Sequence, residues 1–261
     1  MKKILLSTTI LAFSAGYAAA EVTMVGAASM DINYSDNDST SRNTSVNSDA
    51  SVTFSGSFAA DNGITMAAKV SDTFTGADVS LAGDFGTITF GTPTDASNSV
   101  AALGAGAIDA NAENYISGTA HDARWDYTMD GITLAISGNS AGDEAAGSLK
   151  YTSGTLAIVV GTSTVTSNST WNGISVGTTL GDLDVKIMAA SANGTSSSGI
   201  GATFDAETLG LGSVTLAFAN QEGLDTSWAI NMKKDLGGLT LNAEWVDAAT
   251  QTAQVGITMG F

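Results

Sequence analysis

The sequence contains no cysteine, and proline and histidine each occur once among its 261 residues. Without cysteine, a disulfide-braced fold and a thiolate-ligated metal centre are both excluded. Basic residues are also scarce, since nine Lys and Arg stand against twenty-six Asp and Glu and give a formal net charge of −17. Because a nucleic-acid-binding surface must neutralise phosphates, this charge excludes a basic nucleic-acid binder.

The residues that favour helices are few as well. Charged residues make up 13% of the chain, so the Glu and Lys typical of helical surfaces are rare. Glycine occurs 30 times, and Ser, Thr and Asn are abundant, although all of these are poor residues for helix interiors. With a single proline to interrupt hydrogen-bonded ladders, the composition predicts an all-β protein.

The first 20 residues have the three parts of a secretory signal peptide: two lysines, an apolar run and a final stretch of alanines. We expect cleavage before Glu21, which leaves residues 21–261 as a single domain. Loss of the two lysines lowers the basic count from nine to seven, against twenty-six acids. No later stretch approaches about 18 continuous apolar residues, so no membrane-spanning helix is predicted after the signal peptide.

Apolar residues alternate with small or polar ones along most of the remaining chain. Residues 255–261, for example, read Val-Gly-Ile-Thr-Met-Gly-Phe. This period of two is typical of β-strands with one apolar face. Sixteen such segments are predicted, near 22–34, 45–58, 64–72, 77–83, 86–92, 123–129, 132–139, 146–152, 155–163, 170–179, 183–191, 199–206, 213–220, 226–234, 239–247 and 250–261.

The connectors between these segments follow a second pattern. Every second connector is short and has turn residues, as in Asp130-Gly131 and Ser153-Gly154. The connectors in between are mostly longer and polar, and residues 93–122 form by far the longest. Antiparallel strands joined in this way would have tight turns at one rim and loops at the other.

Single charges also interrupt the non-apolar face of many segments. In a soluble β-sandwich the alternating faces must bury a dense core, whereas the inner face of a transmembrane barrel is wet and tolerates charge. The sequence therefore predicts a transmembrane antiparallel up-and-down β-barrel of about sixteen strands, closed by pairing of the last strand with the first. The predicted lumen charges are Asp49, Lys69, Arg124, Asp126, Lys150, Asp184, Lys186, Lys233 and Glu244.

Two further features fit a barrel. Thirty structureless residues are unusual in a compact domain, so the connector 93–122 is expected to fold into the lumen as a long third loop. Aromatic residues near strand ends are candidates for the girdles that mark the two membrane interfaces. These aromatic candidates are Tyr34, Phe58, Phe90, Trp125, Tyr127, Trp171, Trp228 and Trp245.

Several stretches resemble the trimeric sixteen-stranded general diffusion porins of Gram-negative bacteria, in particular their alphaproteobacterial branch. Residues 79–91, Val-Ser-Leu-Ala-Gly-Asp-Phe-Gly-Thr-Ile-Thr-Phe-Gly, are similar to the hairpin that precedes the third loop in this family. The run Arg124-Trp125-Asp126-Tyr127 stands where the family re-enters the wall after that loop. The end of the signal peptide and the terminal Phe261 also match the family's pattern.

The resemblance implies passive diffusion of small hydrophilic solutes through a homotrimer in the outer membrane, in contact with lipid and lipopolysaccharide. It also implies a pore constriction at which carboxylates of the third loop face basic residues of the wall. Matched onto this chain, the loop acids are Asp95, Asp109 and Glu113, and the wall bases are Lys69 and Arg124, with Arg42 further away. The family usually has a dense basic cluster on the wall, so the few bases of this chain favour a mildly cation-selective pore.

Two other classes of function fit the sequence less well. A barrel enzyme needs a base beside a nucleophile, and the single histidine, His121, is accompanied only by Asp122, Ser117 and Thr119 in the sequence. A secreted β-solenoid or adhesin would show a fixed repeat, which the sequence lacks. A non-conducting structural or adhesive outer-membrane barrel is the alternative to a channel. The sequence therefore predicts no catalytic residue, no cofactor and no metal site, although acidic pairs such as Asp143 and Glu144 lie on predicted outer loops.

Overall fold

The computed structural model describes residues 20–37, 41–71, 77–100, 103–104, 121–165 and 169–261. Within this part of the chain the secondary structure is almost entirely β, as the composition predicts. The strands are β1 Ala20–Asn37, β2 Ser41–Ala59, β3 Thr65–Ser71, β4 Ala77–Gly83, β5 Gly86–Phe90, β6 Ala123–Met129, β7 Ile132–Gly138, β8 Ala145–Ser153, β9 Leu156–Val165, β10 Ser169–Leu180, β11 Leu183–Ala192, β12 Thr195–Asp205, β13 Ser213–Gln221, β14 Ser227–Asp235, β15 Leu239–Asp247 and β16 Gln251–Gly260. Each coincides with one of the sixteen predicted segments.

The sixteen strands form one closed antiparallel barrel in which every strand pairs with its sequence neighbours and β1 pairs with β16. In this last pair Ala27 lies opposite Gly260, and Asp36 lies opposite Gln251. The terminal residue continues the ladder, because the Gly26 amide donates to the Phe261 carbonyl at 2.7 Å and the Phe261 amide donates to the Gly26 carbonyl at 2.9 Å. The predicted closure of the cylinder is confirmed.

The two rims differ as the connectors predict. At one rim the strands are joined by tight turns, such as Asp130-Gly131 with φ angles of 49° and 80°. Asp and Gly suit these positive φ values, so the turn sequence fixes the strand register. The connector between β12 and β13 is the exception, because it contains a short 3₁₀ turn at Glu207–Leu209.

The register also assigns each residue to one of two faces. Large apolar side chains such as Ile136 and Phe218 lie on the outer face, where 48% and 53% of their surfaces are exposed in the single chain. A belt of this kind is unfavourable in water and is covered by lipid in a membrane barrel. All nine predicted lumen charges lie on the opposite face by strand register.

No helix in the described ranges is long and apolar enough to span a bilayer.

Candidate functional site: the lumen and the start of the long loop

The long connector begins with a bend that only glycine fits. Gly91 has a φ of 128°, and a Cβ at this position would lie 2.1 Å from the Ala77 carbonyl oxygen. The next residue, Thr92, is held by Asp78 on β4, whose Oδ1 accepts the Thr92 amide at 2.8 Å and the Thr92 hydroxyl at 3.3 Å. The chain thereby leaves the wall towards the barrel interior, where residues 96–99 form a short 3₁₀ turn.

Asp95 fastens this turn to the wall. Its carboxylate is 7% exposed. Oδ1 accepts hydrogen bonds from the amide and hydroxyl of Ser97, at 2.6 and 2.7 Å, and Oδ2 accepts one from the Ser163 hydroxyl on β9 at 2.8 Å. Asp95 therefore caps the turn and ties it to β9.

Arg124 on β6 holds the same segment from the other side. Its Nη1 donates to the Thr94 carbonyl and hydroxyl oxygens, both at 3.1 Å, and to the Asp95 carbonyl at 3.3 Å. Its remaining donors bind the Asp126 carboxylate, with Nε–Oδ2 and Nη2–Oδ1 distances of 2.8 Å. Asp126 lies two residues away on the same face of β6, and its bidentate pair with Arg124 neutralises the guanidinium charge. Nη1 stays bound to the loop.

A single hydroxyl joins the two ends of the long connector. Ser137 Oγ on β7 accepts the Ala96 amide at 2.8 Å and lies 2.6 Å from Nδ1 of His121, the residue that leads into β6. His121 is fully buried, and its Nε2 has no hydrogen-bond partner in the described part of the chain. We refer to Asp95, His121, Arg124, Ser137 and Ser163 as the loop anchor.

Beyond the 3₁₀ turn, the chain runs across the inner wall. A Cβ added to Gly161 on β9 would lie 2.9 Å from Val100 Cγ2, and one added to Gly201 on β12 would lie 2.6 Å from the Leu103 carbonyl oxygen. Gly104 then reaches Thr215 on β13. A buried apolar cluster forms along this path, made of Val100, Leu103, Val159, Trp171, Met188, Ala190, Ala192, Ala217, Ala219, Ala229 and Val246. Small wall residues thus give the loop room.

Trp171 belongs to this inner cluster, which corrects its interpretation as a girdle candidate. It shares the inner face of β10 with Gly173 and Ser175, and its ring lies over Gly173, where an added Cβ would be 2.3 Å from the ring. The side chain is 1% exposed. Trp125 and Tyr127, by contrast, lie on the outer face near the short-turn rim and stack with ring centroids 5.9 Å apart.

The opposite half of the inner wall is polar and open to solvent. From residue 29 to 35 on β1 and from 43 to 57 on β2, every inward position is Ser, Thr, Asn or Asp. Asn43, Ser45, Asn47 and Asp49 are all exposed. Within the described residues, the loop contacts β6, β7, β9, β12 and β13. We call the wall from β7 to β15 the half covered by the loop, and the wall of β16 and β1–β6 the open half.

A family model described as Gram-negative porin matches residues 7–259. The chain belongs to the Gram-negative porin family. Solved structures agree: a mutant of the Rh. blastica porin has 14% sequence identity and a TM-score of 0.74, and covers 92% of this chain and 100% of its own. An anion-selective porin from Comamonas acidovorans has 16% identity and a TM-score of 0.73, with 93% and 100% coverage. The trimer form of Vibrio cholerae OmpT has 12% identity and a TM-score of 0.74, with 93% and 99% coverage.

No curated protein matches the sequence. The solved structures share so little sequence with this porin that they support the fold alone, whereas the family model carries the assignment. Porins are diffusion channels of the outer membrane rather than enzymes, and the family match places this porin among them.

The predicted constriction residues occupy different environments in this porin. Asp95 and Arg124 meet, but through the Asp95 backbone, because the carboxylate binds serines and the guanidinium binds Asp126. Lys69 is exposed on the inner face of β3, opposite Asp78 in register. Asp109 and Glu113 lie outside the described residues. Arg42 is remote and pairs with Asp36 at 3.0 Å near the loop rim.

The loop anchor also explains the single histidine of the porin. His121 contacts a serine hydroxyl, which is the pair that a nucleophilic enzyme requires. Here the imidazole is fully buried, and Ser137 Oγ already accepts the Ala96 amide. The neighbouring carboxylate of Asp122 faces away, since its Oδ2 accepts the Ser140 amide at 2.6 Å. The pair therefore fastens the loop.

Proposed function

We propose that the porin is a homotrimeric, water-filled channel for passive diffusion of small hydrophilic solutes, with a mild preference for cations. The observation that supports this best is the division of the lumen. The start of the loop is fixed to one half of the wall, while the exposed polar residues of β1 and β2 leave a wet path along the other. Residues 21–261 would form the barrel domain after removal of residues 1–20 as a signal peptide.

We propose that the pore constriction is formed by five residues with distinct roles: Asp95, Asp109, Glu113, Lys69 and Arg124. Asp95 and Arg124 form the frame that holds the loop inside the barrel, as their hydrogen bonds to Ser163 and Thr94 support. Lys69 is the wall base that faces water. Asp109 and Glu113 are proposed to supply the loop carboxylates, which together with Lys69 would create a transverse field across the passage.

Small residues on the outer face support close contact between barrels. Ala28 on β1 shares this face with Ala50 and Gly56 on β2, whereas Gly26 is covered by the Phe261 ring. Such positions allow two walls to approach closely within the membrane. We propose that this patch contributes to the contact between subunits, with lipid and lipopolysaccharide around the rest of the barrel. Chemical cross-linking of the detergent-solubilised protein should then give a trimer, and a band pattern that ends at the monomer would contradict it.

Conductance across a planar bilayer tests the channel. Purified residues 21–261 should give stepwise openings, in groups of three for a trimer, and a reversal potential that favours cations in a KCl gradient. Openings with anion preference would retain the channel but contradict its selectivity. A well-folded protein without conductance would contradict the channel itself and favour a structural barrel.

A further inference from the structure

The mid-strand charges of the open half of the lumen divide into two balanced pairs and a remainder. Arg124 is neutralised by Asp126, with a closest N–O distance of 2.8 Å. Lys69 lies directly opposite Asp78 in the register of β3 and β4, so together they add no net charge to this stretch of wall. In the described strand pairs, Asp31 on β1 lies opposite Asn47 and Gly256, and Asp49 on β2 lies opposite Ser29, so none of these partners is basic.

Asp31 and Asp49 lie close enough to act together. Asp31 is opposite Asn47 and Asp49 is opposite Ser29, which makes the two residues diagonal neighbours about 7–8 Å apart. The side-chain amides of Asn33 and Asn47 both donate to Asp31 Oδ2, so this carboxylate is held on the inner wall. Two carboxylates within one Debye length, about 10 Å at 0.1 M salt, present a combined field to a passing ion.

The half of the lumen that the loop covers offsets only part of this charge, because its mid-strand residues carry one net positive charge against two net negative charges in the open half. Its mid-strand charges are three lysines, Lys150, Lys186 and Lys233, and two acids, Asp184 and Glu244. The excess negative charge of the wall is therefore concentrated in the open half, where Asp49 is exposed and Asp31 is partly exposed. This is also the half along which the wet path runs.

We infer that Asp31 and Asp49 are the residues that determine the cation preference of the pore, and that small inorganic and organic cations pass along the β1–β2 wall. The inference rests on the proposed channel function, but it assigns selectivity to a pair of residues outside the proposed constriction. Permeant cations are attracted by the pair, and anions are repelled from the same stretch of wall.

The test is a charge-neutralising double variant, Asp31→Asn with Asp49→Asn, compared in a KCl gradient at about 0.1 M. Asparagine keeps the shape and can still accept the Asn33 and Asn47 amides. Screened Coulomb interactions of two charges at about 8 Å give an expected fall of about fourfold in the cation-to-anion permeability ratio. The single-channel conductance should change much less.

A matched control makes the same substitutions away from the lumen wall. Asp130→Asn with Asp182→Asn changes the net charge equally at two short turns, and asparagine tolerates the positive φ of residue 130. This variant should keep the permeability ratio of the parent protein. Heat-dependent migration in SDS gels confirms that each variant is folded.

The outcomes separate the inference from the proposed function. An absence of conductance in the parent protein contradicts the channel. A cation-selective parent whose ratio is unchanged in the Asp31/Asp49 variant overturns the inference while the channel stands. The inference also fails if the turn variant lowers the ratio as strongly, because selectivity would then follow net charge rather than the wall pair.

Discussion

The Ser137 hydroxyl lies 2.6 Å from His121 Nδ1, and the same oxygen accepts the Ala96 amide. One side chain on β7 therefore binds both the beginning and the end of the long connector, residues 93–122. Ser137 therefore joins Asp95 and Arg124 among the side chains that attach the loop to the wall.

Replacement of Ser137 by alanine should loosen the loop without opening the barrel. The Ala96 amide and the buried imidazole would both lose a partner, at a cost of about 1–3 kcal/mol for the local attachment. We expect noisier channel currents and faster proteolysis within 93–122, with unchanged barrel unfolding temperature. Ser148→Ala, on the inner face of the adjacent strand β8, is the control, and equal current noise in both variants would contradict the prediction.

Asp95→Ala should have a stronger effect than neutralisation of an exposed acid. The substitution leaves the Ser97 amide and the Ser163 hydroxyl without their acceptor inside a buried site, which costs about 2–3 kcal/mol. The expected result is a larger and more variable conductance, since the start of the loop would detach from β9. Asp143→Ala, at an exposed outer loop, should keep the parent conductance, and a similar conductance for Asp95→Ala would show that the anchor is dispensable.

Gly201→Ala tests the path of the loop from the wall side. The added methyl group would lie 2.6 Å from the Leu103 carbonyl oxygen, so the loop has to move away from β12. A shift of the loop into the open half should lower the conductance by a measurable fraction while the barrel stays folded. Gly177→Ala faces the same lumen with nothing closer than 3.9 Å and serves as the control.

Phe261 should stabilise the closed barrel through its ring as well as its backbone. The ring lies over Gly26 on the outer face, where a Cβ would be 2.2 Å from the nearest ring atom. Phe261→Ala removes this contact but keeps both backbone hydrogen bonds, so the barrel should unfold at a lower temperature. Circular dichroism at 218 nm during heating measures the change, and Phe85→Ala, at a turn, is the comparison.

The hydrogen bonds between Ser140 and the Asp122 carboxylate should weaken in acid. Hydrogen bonds from Ser140 hold the pKa of the Asp122 carboxyl below its ordinary value. A group with a lowered pKa in the folded state contributes stability above its unfolded pKa, about 3.9, and loses that contribution as the pH falls through the lower folded value. We expect proteolysis of the outer loops by pepsin to increase below about pH 4 in the parent protein, and a much smaller pH effect in Asp122→Asn.

The barrel could be predicted from the sequence because the patterns that mark its strands and turns are local. Alternation of period two marks each strand, and residues such as Asp130-Gly131 mark the tight turns, so the strand count and closure follow without long-range contacts. The inward position of Trp171 also had a local signal. Residues two apart on a strand share a face, so Trp171 lies on the same face as Gly173 and Ser175. Its position near a strand end, which is typical of girdle residues, indicated the opposite face.

The loop anchor could not be predicted in the same way. Asp95 and Ser163 are 68 positions apart, and their contact depends on how the loop enters the lumen. The Arg124–Asp126 pair did have a local signal, because residues two apart on a strand share a face. A guanidinium that already has a carboxylate two residues away is a poor candidate for a free wall charge.

The pairing of β1 with β16 has a consequence for how the protein is made. Ala27 finds its partner only when Gly260 arrives, so nearly the whole chain must be present before the ring can close. Until that moment both terminal strands have unpaired edges and the apolar belt has no lipid around it, which are the conditions under which chains aggregate. Closure over such a long sequence separation is intrinsically slow. The seam between β1 and β16 is therefore the place at which an incomplete barrel is most prone to aggregate.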